Sequence, residues 1–83
     1  MYKFYILYSE KLDRYYIGST GDEISERLRR HNSNHRGFTG RANDWIIIYT
    51  ESFEIKALAG QREREVKKWK SRKLIERLIK GEM

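Results

Sequence analysis

The sequence has no cysteine and no proline. Without cysteine, neither disulfides nor a thiolate zinc site can brace the fold. At 83 residues the chain is near the lower size at which apolar burial alone holds a domain together. Stability must therefore come from the aromatic and aliphatic side chains, and disulfide independence suits a reducing compartment. Also missing are internal repeats and low-complexity linkers, so one domain over residues 1–83 is expected. No apolar run approaches the length of a membrane span, and no cleavable apolar segment opens the chain. A soluble, cytoplasmic protein with no membrane partner is expected. Acidic residues are in the minority: 18 Lys and Arg face 12 Asp and Glu, a formal charge of +6. A small basic domain favours polyanions, because each neutralised phosphate releases counterions. A merely well-solvated basic surface is the plain alternative, and charge does not say whether a bound nucleic acid is also cut.

Aromatic residues are plentiful. Residues 2–9, "YKFYILYS", are aromatic and β-branched enough for a strand. "EKLDR" supplies a polar turn, and "YYIGS" reads as the returning strand of an antiparallel hairpin, with Gly18 marking its end. Thr20 and Glu23 match a capping box, placing a helix start near Gly21 or Asp22. Ile24 and Leu28 give that helix its buried stripe. The segment "HNSNHRGFTGRAN" is a long loop whose His35, Arg36 and Arg41 could close over an anionic ligand. "WIIIYTES", residues 45–52, is a continuous apolar run and is expected to be a third, well-buried strand. Beyond Glu54 the pattern is helical. Leu58, Val66 and Trp69 form one stripe, and Leu74, Ile75, Leu78 and Ile79 another. Ser71 is a candidate cap between two helices, with one long bent helix as the alternative. The expected fold is α/β in the α+β sense, a three-stranded antiparallel sheet with flanking helices in the order ββαβαα.

Polar residues beside the apolar stripes are more telling than the stripes. Arg27 and His31 lie about 60° around the first helix from Ile24 and Leu28, at the margin of the buried face. Glu63 has Lys67 one turn on, the spacing of an ion pair. Each residue alone reads more simply as a solvated charge or a surface histidine. Strand alternation sends Tyr15 and Tyr16 to opposite faces of the sheet. Tyr2, Tyr8 and Tyr15 read as packing, and Trp45 and Trp69 as core anchors. His31 and His35 are spaced as zinc ligands but lack a third ligand nearby, so a structural zinc site is rejected.

"KFYIL", followed eleven residues after Tyr5 by "YIG", resembles the GIY-YIG endonuclease family. Tyr5 matches the tyrosine of the first motif, and Tyr16-Ile17-Gly18 is the second motif intact. The resemblance runs on through "ERLRRHN", "WIIIYTESF" and "KALAGQREREVKKWKSRKLI", nearly the whole chain. It is greatest to the small single-domain bacterial members, and more distant to the N-terminal domain of the nucleotide-excision-repair endonuclease. Departures are local. Lys3-Phe4-Tyr5 keeps only the tyrosine of the first motif, and Ser19 follows the glycine where some members have lysine. The interval from Gly18 to Arg27 is one residue longer than usual. No asparagine occupies the last helical stretch, where several nuclease members carry one.

The resemblance implies a divalent-metal-dependent DNA endonuclease or nickase, with RNA also open as a substrate and DNA repair or recombination as its setting. It implies one cation, Mg2+ or Mn2+, held by Glu63 and waters, a demand a hard cation meets with few protein ligands. Arg27 would clamp the scissile phosphate. Tyr5, Tyr16 or His31 would take the proton of the attacking water, a phenol doing so only where cations favour its phenolate. His35, Arg36, Arg41 and Lys67 are the expected nucleic-acid contacts, and a partner protein or homodimer could direct targeting. The competing readings are a nucleic-acid-binding module that keeps the fold without useful catalysis, and a protein-interaction domain whose basic charge is incidental. A nuclease site requires Tyr5, Tyr16, Arg27, His31 and Glu63 to converge, with Tyr5 and Tyr16 facing the cleft and Tyr15 not.

Overall fold

The computed structural model describes residues 1–33 and 38–83. Strands β1 (Tyr2–Ser9), β2 (Arg14–Thr20) and β3 (Ile46–Phe53) form one antiparallel sheet in the order β2-β1-β3. Helix α1 (Ile24–His31) and a short 3-10 turn, Phe38–Arg41, lie between β2 and β3 in sequence, and helices α2 (Lys56–Trp69) and α3 (Arg72–Ile79) follow. This is the expected ββαβαα order and α+β class. Among the described residues no helix is long and apolar enough to cross a membrane.

Strand β1 is central, so it is covered on both faces. Phe4 and Ile6 point to one side and pack with Ile17, Val66, Ile75 and Leu78 beneath α2 and α3. Tyr5 and Leu7 point to the other and pack with Trp45, Ile24 and Leu28 beside α1. The hairpin between β1 and β2 turns at Asp13, whose φ of 52° is left-handed, a conformation aspartate tolerates. Arg72 on α3 secures that turn, donating to the Asp13 carbonyl at 2.9 Å and to its carboxylate at 2.6 Å. Asp13 and Glu76, both paired with Arg72, are thereby held below the usual carboxylate range.

Helix α2 is tied to β3 through Arg62, which donates to Glu51 at 3.0 Å and lies 5.9 Å from the ring centres of both Phe4 and Trp69. A guanidinium suits this place because it can hydrogen-bond in its plane and stack on its faces. Lys70, with φ 48°, ends α2, and the Ser71 hydroxyl accepts from the Leu74 amide at 3.2 Å to open α3. The chain thus has two helices here, not one bent one.

Three expectations are corrected. The run at 45–52 is not a well-buried strand: β3 is an edge, none of its residues is fully buried, and Ile46 is 54% exposed. A register shift opposite Ile6 and Leu7 leaves the neighbours Ile48 and Tyr49 both packed on one core, with Ile47 on the other. A continuous apolar run therefore arises here without a central position. Leu58 does not join the stripe of α2; it is 45% exposed, and Ala59, two turns before Val66, is buried instead. The capping box does not form, because Thr20 still belongs to β2 and its hydroxyl accepts from the Asp22 amide at 3.0 Å. Helix α1 begins only at Ile24, with Glu23 as an N-cap that makes no side-chain cap bond.

The central and edge positions should differ in energy. Phe4→Ala, at a site with no exposed surface, is expected to cost about 3–5 kcal/mol. Ile46→Ala is expected to stay within about 0.5 kcal/mol of wild type, as surface substitutions do. Urea denaturation measures both, and comparable losses would contradict the assignment of β3 as a half-exposed edge.

Candidate active site

Residues opposite one another in an antiparallel pair share a face, so the pairs Tyr5 with Gly18 and Leu7 with Tyr16 all point toward α1. Gly18 has no side chain, and the Tyr5 ring occupies the space one would take. A Cβ there would sit 2.6 Å from the Tyr5 hydroxyl oxygen and 2.7 Å from Cζ. Laid across the strand in this way, the buried Tyr5 reaches His31, its Oη 2.9 Å from His31 Nε2. The other ring nitrogen, Nδ1, is 3.0 Å from Thr39 Oγ1. In one tautomer Tyr5 donates to Nε2 while Nδ1–H donates to Thr39; in the other, both directions reverse. The Tyr16 ring centre is 4.7 Å from that of His31 and 6.4 Å from that of Tyr5. His31 is only 6% exposed, deeper than the margin expected for it. Tyr15 is on the opposite face, its ring centre 5.1 Å from that of Tyr8 at a 46° tilt, with its hydroxyl donating to Glu76 at 3.0 Å.

Arg27, one turn before His31, is half-buried, and its Nε is buried without a hydrogen-bond partner. Its guanidinium is close enough to Tyr5 to act on the phenol electrostatically, though no hydrogen bond of good geometry joins them. A buried cationic N–H with no acceptor is costly, so an anion from outside the chain suits this place. A cavity of about 340 Å³ opens here, lined by Arg27, Arg30, His31 and Ser33. Burial pushes the Tyr5 phenol above its ordinary value; Arg27 pulls it back, while Tyr16 and Glu63 push it further up. In the free chain Arg27 alone does not favour a Tyr5 phenolate, because desolvation outweighs the single guanidinium.

Glu63 approaches from the other side of β2. Ser19 is paired with Phe4 and so belongs to the α2 face. Its hydroxyl donates to Glu63 Oε1 at 2.6 Å, and the Lys67 ammonium donates to Oε2, also at 2.6 Å. Glu63 does not touch the tyrosines, but its charge is felt at Tyr5. Because β2 is an edge strand, the two faces meet along it. Tyr5, Tyr16 and His31 are in mutual contact, Arg27 borders them, and Glu63 stands across the strand. Each Glu63 oxygen accepts one hydrogen bond and keeps a lone pair. No group of three or more potential ligands exists among the described residues. Such a site suits a hard cation that retains most of its water.

The expected nucleic-acid contacts divide. Arg41 is exposed and lines a separate cavity of about 410 Å³ with Lys11 and Asn32. Lys67 is occupied with Glu63, and His35 and Arg36 lie outside the described residues. Sequence reasoning missed Ser19 as the support of Glu63 and Thr39 as the partner of His31. Neither had a signal to find: Ser19 stood out only as a replaced lysine, and Thr39 is a loop residue with no periodic relation to the helix.

A family model, the GIY-YIG catalytic domain, matches residues 1–76 of the chain. No curated protein and no solved structure matches it.

The bare Cα at residue 18 should be indispensable, and the one in α2 should not. Gly18→Ala is expected to cost about 1–3 kcal/mol, because the buried Tyr5 ring must move off its site. Gly60→Ala meets only the flexible Arg64 end at 3.4 Å and is expected to gain roughly 0.5–1 kcal/mol from helix propensity. Thermal melts compare the two, with near-UV circular dichroism reporting the Tyr5 environment. A neutral Gly18→Ala would overturn the close packing of Tyr5 on the strand.

Proposed function

The chain belongs to the GIY-YIG family of nuclease domains, and on that premise we propose that it is a divalent-metal-dependent DNA endonuclease or nickase acting in DNA repair or recombination. One observation carries the catalytic reading. The unpartnered Nε–H of Arg27 is buried beside a phenol that is already hydrogen-bonded to a histidine. Phosphodiester hydrolysis needs those two things together, a donor for the phosphoryl oxygens and an acceptor for a proton. A basic, 83-residue chain supports nucleic acid as the substrate class.

Arg27 binds a phosphoryl oxygen and satisfies its buried N–H by doing so. The Tyr5 hydroxyl receives the proton of the attacking water and passes its own to His31 Nε2. A raised phenol pKa makes a standing Tyr5 phenolate unfavourable, so relay to a neutral imidazole is the better route. For this direction Nδ1 carries the hydrogen and donates it to Thr39 Oγ1, the first of the two tautomers the contacts accommodate. Tyr16 packs against the imidazole and limits its access to water. Glu63, oriented by Ser19, would hold the divalent cation, which supplies charge neutralisation at the phosphate.

Plasmid nicking with Mg2+ or Mn2+ tests the reading. Wild type is expected to convert supercoiled plasmid to nicked or linear forms. Glu63→Gln and Tyr5→Phe are each expected to lose about 10²- to 10⁴-fold in rate while still binding DNA. The rate should show no requirement for pH above 10, since the relay to His31 needs no standing Tyr5 phenolate. Full activity in Glu63→Gln would remove the cation assignment. DNA binding without cleavage under any condition would favour the binding-module reading.

A further inference from the structure

Glu63 is the carboxylate assigned to the cation in the preceding reading, on which this inference rests, yet a positive charge already sits on it. Lys67 Nζ is 2.6 Å from Oε2, and Ser19 takes the other oxygen at the same distance. The two residues differ in exposure. The Glu63 side chain is 23% exposed, and that of Lys67 is 49% exposed. The carboxylate is therefore fixed by the fold, while the ammonium hangs on a flexible stem from an open helix face. A cation approaching Glu63 meets like charge at the oxygen it needs, and a nucleic-acid backbone approaching the same helix offers the ammonium another anionic partner.

We propose that Lys67 is an exchangeable latch on Glu63, which leaves the carboxylate for a substrate phosphate and so couples cation binding to nucleic-acid binding. Without nucleic acid the latch is closed, and divalent cations bind weakly. With nucleic acid the ammonium moves to the phosphodiester, and Glu63 is released to the cation. Linkage makes the effect reciprocal: whatever nucleic acid adds to cation affinity, the cation adds to nucleic-acid affinity. Ser19 does not take part in the exchange, because its neutral hydroxyl orients the carboxylate without repelling a cation.

Two binding measurements on the full chain, neither reading activity, test the latch. The first titrates Mn2+ into DNA-free protein by calorimetry or electron paramagnetic resonance, with folding checked by circular dichroism. Lys67→Met should bind Mn2+ about 3- to 10-fold more tightly than wild type, the range of an exposed pair at low salt. Lys67→Arg, which restores the charge, should return to wild-type affinity, and Glu63→Gln should bind no Mn2+. The second measures duplex affinity in EDTA over a range of salt, where Lys67→Met should lower the slope of log K against log salt by about one. If Lys67→Met binds Mn2+ no more tightly while Glu63→Gln still abolishes binding, the latch is wrong and the cation assignment stands. If Glu63→Gln binds Mn2+ as wild type does, the assignment beneath it fails. An unchanged salt slope would remove phosphate as the exchange partner.

Discussion

The hydroxyl end of Tyr5 lying over Gly18 is the contact on which the rest of this small structure turns. It joins the central strand to β2, and its hydroxyl carries the connection on to α1 through His31 and to the 3-10 turn through Thr39. Four elements are thus aligned by one side chain, without a disulfide or a proline to assist. The arrangement needs a residue with no Cβ at one place. The ring approaches too closely for any other residue, and this accounts for the glycine of the Tyr-Ile-Gly motif on physical grounds alone.

The three-stranded sheet divides its work by face. Beneath α2 and α3 the sheet carries aliphatic and aromatic packing, and toward α1 it carries Tyr5, Tyr16 and His31. Such a division follows from making the hairpin's first strand the central one. Its alternation then feeds both sides, and the adjacent edge strand β2 becomes the border where polar groups from either face come near each other. Glu63 reaches that border from the helical side by way of Ser19, while Arg27 and His31 reach it from the other. A wider sheet would bury this border; at three strands it remains at the edge.

Element order, the hairpin, Ser71 as one of two readings and the opposed faces of Tyr15 and Tyr16 were legible in the sequence, because periodicity and turn chemistry act locally. What failed depended on partners distant in the chain. The run around Ile46–Tyr49 reads as buried from composition, and only the strand order places it at an edge. Leu58 and Ala59 are neighbours whose exchange of roles depends on how closely α2 approaches the sheet. The capping box at Thr20 had the right spacing, but a strand that outlasts it removes the residue from the helix. In the site, residue types and positions were visible through Arg27, His31 and Glu63. Their supports were not, since hydroxyls such as Ser19 and Thr39 carry no periodic or charge signal.

The electrostatics point to a site that is incomplete by itself. Within it, burial raises the Tyr5 phenol pKa against the pull of Arg27, Arg27 keeps a buried N–H without an acceptor, and Glu63 is neutralised by a lysine. Each is a cost or a compromise in the free chain. In the proposed reaction a phosphodiester would serve as an anion for Arg27 and an alternative partner for Lys67, while the attacking water would supply the proton that Tyr5 passes to His31. A domain this small cannot surround a reaction with preformed charge, because its buried volume is already committed to holding the sheet. On the proposed reading it leaves specific groups unsatisfied until the substrate arrives. On this argument the substrate is the missing structural member of the site, and binding and assembly of the chemistry are one event.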